Sequence, residues 1–215
     1  RQLNPTEVSA ASESIMILKP MRELFSLESR CLMLLLSIIG SCNCFASDVA
    51  PEFQNKLSQD EFFMQKALDQ AKLAHEKGNH PIGCVLVKDG RVVNVGQNSV
   101  VTDGDITRHA EINVIAKACH DLNLKSLEGY TLYSSCEPCP MCSGAIIYLK
   151  VSAVVYGASQ EFVARMIPGH DNLGIRNMKN LLRQGPEVRG PVLKEATEDY
   201  LLKIITECKR KQVVE

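Results

Sequence analysis

The sequence predicts an α/β fold in which one five-stranded mixed sheet lies between layers of helices. Segments with apolar residues at helical spacing alternate with short runs rich in Val, Ile, Leu and Tyr, a pattern typical of a sheet covered by helices on both faces. The composition of the 215 residues, 45% hydrophobic and 23% charged, is that of a globular chain. It excludes disordered, collagen-like and low-complexity classes.

The individual elements follow in chain order from residue 58. Residues 58–61 match a capping box, and apolar residues at helical spacing follow until Gly78, which predicts the first helix. The tight turn at Asp89 and Gly90 joins two apolar runs and predicts a hairpin. A polar loop is predicted before residue 108 and a looser segment after residue 156. The remaining predictions are helices over 108–120, 140–149 and 177–183, strands over 131–135, 152–156 and 187–193, and a terminal amphipathic helix.

Residues 1–57 lack this alternation and are interpreted as a leader. Basic residues near positions 19–30 precede the apolar run 31–40, and a small-x-Ala site ends at Ala46, which is the pattern of a signal peptide around residues 19–46. The apolar run is too short to cross a bilayer. The alternative interpretation is a disordered extension. The expected location is periplasmic or secreted if the segment is a signal peptide, and cytoplasmic otherwise.

The nine cysteines of this chain do not indicate a disulfide framework. Their number is odd, and the chain is much longer than the small secreted scaffolds that depend on disulfides. They are therefore expected to be metal ligands or buried small residues, and Cys84, Cys119 and Cys136 are predicted to lie in the core. The 24 basic and 25 acidic residues give a net charge of -1, so no overall cationic field attracts nucleic acid.

Two short motifs have the residue types of a metal site. His109 and Glu111 begin one predicted helix, and Cys139 and Cys142 form a Cys-x-x-Cys pair where a strand gives way to the next helix. Two thiolates and one imidazole favour zinc, and three protein ligands leave the fourth tetrahedral position open, as in catalytic sites. A carboxylate at Glu111 can move protons without coordinating the metal. The alternatives are a redox pair or a structural zinc site completed by Cys136.

The full set of motifs, His-x-Glu followed by Pro-Cys-x-x-Cys, resembles the zinc-dependent cytidine/deoxycytidylate deaminase superfamily. The resemblance extends to the neighbouring segments 81–87, 96–98, 136–142 and 144–146. It implies a three-layer α/β/α cytidine-deaminase-like fold over 58–215, one zinc per chain held by His109, Cys139 and Cys142, and Glu111 as the proton shuttle. It further implies that Asn98 binds the base and that the protein is a homodimer.

The function implied is hydrolytic deamination of a nucleobase or nucleoside, which releases ammonia. The amino-acid sequence of residues 136–142 most resembles that of guanine deaminases and bacterial nucleoside deaminases, so a guanine-like purine is the favoured substrate. A tRNA-specific adenosine deaminase is the second hypothesis, and an inactive zinc-stabilised binding module is the third. Nucleic acid is the less favoured partner because basic and aromatic residues are not interleaved and only 5% of residues are aromatic. Segment 157–180 is expected to shape the substrate pocket.

Overall fold

The computed structural model describes residues 56–167, 170, 172–179 and 185–212. The predicted leader lies almost wholly outside the described residues, so its interpretation and the boundary at residue 58 stay predictions. None of the helices in the described part of the chain combines the length and apolar character that crossing a membrane requires.

The elements alternate as the sequence pattern indicates. The helices are α1 Lys56–Glu76, α2 Val100–Asp103, α3 Ala110–Asp121, α4 Pro140–Tyr148, α5 Gln160–Met166, α6 Ile175–Lys179 and α7 Lys194–Gln212. The strands are β1 Gly83–Lys88, β2 Arg91–Gln97, β3 Thr131–Cys136, β4 Ala153–Ala158 and β5 Glu187–Arg189.

The strands of the described part form one five-stranded sheet with the order β2-β1-β3-β4-β5. β1 pairs antiparallel with β2 and with β3, whereas β3–β4 and β4–β5 are parallel. The predicted mixed sheet and the predicted hairpin are therefore confirmed. The parallel pairing of β3 and β4 requires a crossover, which α4 supplies.

Helices cover both faces of this sheet, because side chains alternate between the faces along each buried strand. Cys84 and Leu86 of β1 join a core with residues of α3, α4 and α6. Val85 and Val87 point the other way and pack with α1. Leu201 of α7 packs with the ends of β3 and β4. This is the predicted three-layer α/β/α arrangement.

Four predictions about local structure are wrong, and the first is the polar loop before residue 108, in which Val100–Asp103 form helix α2. Helix α1 already includes Lys56, so Ser58 lies within the helix and residues 58–61 are not its capping box. The predicted strand over 187–193 ends at Arg189, because Pro191 has no N–H to continue the ladder. Helix α5 lies in the predicted looser segment. Ser159 caps it, and its hydroxyl accepts a hydrogen bond from the Phe162 N–H at 3.1 Å.

The core cysteines agree with prediction. Cys84 and Cys136 are buried, and Cys119 is half-buried against the main core. All three are free thiols. Burial raises the pKa of Cys84 and of Cys119, which keeps both protonated. The cysteines of the leader lie outside the described residues.

Candidate metal centre

Two helix starts position the predicted metal ligands. His109 occupies the N-cap of α3 and Cys139 the N-cap of α4, both in extended backbone conformation. Pro140 follows at the first helical position, where its missing N–H costs nothing. Both side chains therefore lie at the positive ends of helices, and that environment favours a thiolate at Cys139.

The start of α3 is fixed against β2 by a close backbone approach at Gly96. A Cβ at this position would lie 2.7 Å from the backbone oxygen of Ala110, so only glycine permits the contact. The Asn113 side chain reinforces it by donating hydrogen bonds of 2.9 Å to the Gln97 carbonyl and of 2.9 Å to the Ser99 hydroxyl. The contact sets the position of the helix that carries His109 and Glu111.

The three predicted ligands come together with the spacing that a metal ion requires. The Nδ1 atom of His109 lies 3.7 Å from Cys139 Sγ and 3.6 Å from Cys142 Sγ, and the three ligand atoms lie within 4.8 Å of one another. Zinc bonds of about 2.3 Å to sulfur and about 2.0 Å to nitrogen in a tetrahedron separate these atoms by about 3.6 Å. The donor set and its spacing therefore fit one zinc ion.

Cys136 does not belong to this cluster. Among the described residues, the group that could hold a metal consists of His109, Cys139 and Cys142. Cys136 is 3% exposed and packs with Ala158, Val163 and Leu201. Burial raises the pKa of its thiol above the ordinary range. A structural site with Cys136 as fourth ligand finds no support in this geometry.

The electrostatics of the cluster favour an ionised thiol at Cys139. Hydrogen bonding with Cys142, assisted by His109, lowers the pKa of Cys139 to about 4 despite its burial. The same contact with Cys139, together with burial, raises the pKa of Cys142. The hydrogen bond with Cys139 also raises the pKa of His109. A metal ion binds the thiolate form, so Cys139 is prepared for coordination.

Glu111 lies beside the ligands, in the first turn of α3. Its side chain is buried, with 3% of the residue exposed, and Oε2 is 3.6 Å from Cys142 Sγ. Burial raises the pKa of this carboxyl group. A raised pKa makes this carboxyl group a stronger proton acceptor than an ordinary glutamate, a property that general acid–base catalysis uses.

Ser134 is a site residue that the sequence analysis missed. It lies in β3, is fully buried, and its hydroxyl donates a hydrogen bond of 3.2 Å to Glu111 Oε1. This contact fixes the rotamer of the carboxylate. The sequence does place the hydroxyl of Ser134 on the same strand face as the apolar residues Leu132 and Cys136. No spacing rule, however, connects this position to Glu111.

Asn98 lies directly after β2 and is 1% exposed. Its backbone N–H donates to the Ile82 carbonyl at 3.0 Å, and its side-chain oxygen accepts from the Val100 N–H at 3.1 Å. Asn79 organises the same loop, because its side-chain oxygen accepts from Val101 N at 2.9 Å and from Thr102 N at 3.0 Å. Asn98 is thus held rigidly, and its contact with a base stays a prediction.

Comparison with known proteins agrees with this fold and metal centre. Residues 57–158 match the cytidine and deoxycytidylate deaminase zinc-binding region. A tRNA-specific adenosine deaminase of Bacillus subtilis (strain 168) is 46% identical over 102 residues, which are 47% of this chain and 63% of that protein. A guanine deaminase of the same strain is 46% identical over 99 residues, which are 46% of this chain and 64% of that protein. The chain thus spans slightly less than two thirds of each relative's length.

A solved structure extends the match beyond the zinc-binding region. It belongs to a study of A-to-I editing by tRNA:A34 deaminases at the wobble position of transfer RNA. It is 35% identical, has a TM-score of 0.56, and the match covers 65% of this chain and 98% of that chain. The chain belongs to the zinc-dependent cytidine and deoxycytidylate deaminase superfamily.

Proposed function

We propose that this protein is a zinc-dependent hydrolase that deaminates a nucleobase or nucleoside, with a guanine-like purine as the favoured substrate. The observation that carries the proposal is the position of Glu111. Its buried carboxylate contacts Cys142, one of three side chains whose spacing fits zinc, without being needed as a ligand. A structural zinc site does not require a buried carboxyl group with a raised pKa at that position.

His109, Cys139 and Cys142 hold the zinc in this proposal. When bound, zinc would act as a Lewis acid and would lower the pKa of a coordinated water molecule toward neutrality. Glu111 accepts a proton from the attacking water and passes it to the ring nitrogen beside the carbon that bears the amino group. Glu111 then takes the remaining proton of that water and delivers it to the departing amine, so that the C–N bond breaks, ammonia leaves and a carbonyl group remains. Asn98 orients the base.

The charge near the site supports a small substrate over RNA. The loop of residues 99–108 joins Asn98 to His109 and carries Asp103, Asp105 and Arg108 as its charged residues. Arg108 is paired with Asp105 at 3.3 Å. A phosphate backbone requires a surplus of basic residues at its binding surface. This loop instead carries a net negative charge.

The tRNA-specific adenosine deaminase remains the second candidate, because the similarity to such enzymes is as high as the similarity to guanine deaminase. The two candidate functions are separated by measuring ammonia release from guanine, cytosine, adenosine, cytidine and a stem-loop RNA. We expect guanine to give the highest kcat/KM, by about tenfold or more over the other substrates.

Two outcomes of this panel would contradict the guanine proposal. A higher kcat/KM for adenosine within the stem-loop RNA would favour the tRNA enzyme. A protein with one zinc per chain and no ammonia release from any substrate would favour the inactive binding module. Metal content measured on the same preparation distinguishes the latter outcome from simple loss of zinc.

The predicted homodimer finds support in the outward face of α4. Met141 and Tyr148 on this face are 40% and 85% exposed, and the helix carries no charged side chain. A helix that is apolar on all sides is typical of one covered by further protein. We expect Tyr148→Lys to convert a dimer to monomers in sedimentation analysis.

Leu73→Lys is the matched control for this dimer experiment, because Leu73 is 41% exposed on α1, which packs on the other face of the sheet. It is expected to leave the dimer intact. A monomeric wild-type protein, or equal dissociation of both variants, would contradict an interface on α4.

A further inference from the structure

A second charged group is buried beside the metal centre and has no part in the proposed chemistry. Glu137 occupies the turn between β3 and α4, two residues before Cys139, and its side chain is 0% exposed. An isolated carboxylate at such a position would carry a large desolvation penalty, so its partners are essential to the local structure.

Arg176 is the principal partner of Glu137. Its Nε and Nη2 atoms donate to the two carboxylate oxygens at 2.9 and 3.0 Å, which is the bidentate geometry of a strong charged pair. The backbone N–H groups of Arg176 and Gln160 also donate to this carboxylate, at 3.2 and 3.1 Å. One side chain therefore joins the metal-binding turn to the starts of α5 and α6.

The segment 172–178 lies in direct contact with the metal-binding turn. A Cβ at Gly174 would be 2.4 Å from Glu137 Cδ, so the chain passes the carboxylate at a distance that only glycine allows. The Ile175 N–H donates to the Pro138 carbonyl at 3.0 Å, one residue from Cys139. The Ile175 side chain is fully buried in the core that also contains Val114 of α3.

These contacts hold residues 174–175 against Glu137 and Pro138, which directly precede the metal ligand Cys139. His170 extends the network, because its Nε2 atom is 2.8 Å from the side-chain oxygen of Gln160. The Arg176 guanidinium lies 5.5 Å from the centre of the Tyr156 ring, which restricts it further. The segment is thus attached to the metal-binding turn through the contacts of Arg176 with Glu137, in addition to the backbone contact and burial of Ile175.

We propose that Glu137 and Arg176 are positioning residues which hold the segment 172–178 against the metal-binding turn as one wall of the substrate pocket. This inference rests on the proposed function for its kinetic consequences, but the positioning itself is a property of the fold. Loss of the pair releases the wall without removing a metal ligand or Glu111. The expected result is weaker substrate binding at nearly constant metal content.

The chain contains a matched pair for the control experiment. Arg189 donates to Asp60 in the same bidentate manner, at 2.7 Å from Nε and 2.9 Å from Nη2, and the Asp60 carboxylate is also buried. This pair links β5 to α1, and neither residue contacts the metal-binding turn in the described structure. Arg189→Ala therefore removes an equivalent ion pair at a different place.

The experiment compares Arg176→Ala, Arg176→Lys and Arg189→Ala in the full-length, zinc-loaded protein. For Arg176→Ala we expect KM for guanine to rise about tenfold, with kcat and zinc content within twofold of wild type. Arg176→Lys retains the charge and is expected to recover part of the loss. Amide hydrogen exchange of the peptide covering 172–178 is expected to accelerate about tenfold in Arg176→Ala and to be unchanged in Arg189→Ala.

Three results would overturn the positioning role. The first is an equal rate of amide hydrogen exchange of 172–178 in Arg176→Ala and Arg189→Ala. The second is an equal change of KM in these two variants. The third is a fall of kcat in Arg176→Ala in proportion to lost zinc, with KM unchanged. If wild type deaminates no substrate, the proposed function fails, and hydrogen exchange alone then decides whether the segment is held by Arg176. Glu137→Gln, where it folds, is expected to reproduce the Arg176→Ala exchange pattern.

Discussion

Glu111→Gln is expected to lower kcat by about 10³-fold while the protein keeps one zinc per chain. The substitution preserves the shape of the side chain, and the amide oxygen can still accept the hydrogen bond from Ser134. It removes the ability of residue 111 to accept a proton from water and to pass that proton to the substrate. Steady-state ammonia release together with zinc content measures both parts of this result.

Glu128→Gln is the matched control for Glu111, since Glu128 is an exposed carboxylate outside the metal centre. It is expected to have wild-type kcat. A Glu111→Gln variant that retains kcat within tenfold of wild type at full zinc content would show that another group transfers the protons.

Cys139→Ala is expected to abolish stable zinc binding and to reduce activity to background. At free zinc about 1,000-fold above Kd, a bound ion stabilises a folded protein by about 4 kcal/mol, so the variant should lose stabilisation of about this size. The Tm of wild type should rise with added zinc, and the Tm of the variant should not. Thermal unfolding at graded zinc concentrations tests this directly.

Cys119→Ala controls for the loss of a thiol, because Cys119 is half-buried and lies outside the metal cluster. Its zinc dependence of Tm should equal that of wild type. A Cys139→Ala protein that still binds one zinc with unchanged affinity would remove Cys139 from the ligand set.

The features that the sequence predicts well depend on local spacing. The ligands His109, Cys139 and Cys142 lie in short motifs at helix starts, and a Cys-x-x-Cys pair across such a start can close on one ion whatever surrounds it. The short continuous apolar runs likewise predict the strands of the sheet, because both faces of a buried strand are covered.

The features that the sequence analysis missed depend on partners that are distant along the chain. Arg176 is 39 positions from Glu137, and Arg189 is 129 positions from Asp60. Helix α2 is supported by Asn79, 22 positions before Val101, so the preceding polar residues alone do not predict it. Such contacts follow from the packing of the whole fold, and no local periodicity encodes them.

His109 is the N-cap of α3 and Glu111 lies in its first turn, so one short stretch of backbone sets their separation. The two thiols lie on a different element, since Cys139 is the N-cap of α4 and Cys142 lies in its first turn. A substitution that shifts α3 over β2 near Gly96 therefore changes the imidazole-to-thiol distances before it changes the imidazole-to-carboxylate distance. Contacts near Gly96 therefore control how the imidazole and the carboxyl group sit as a pair relative to the thiols.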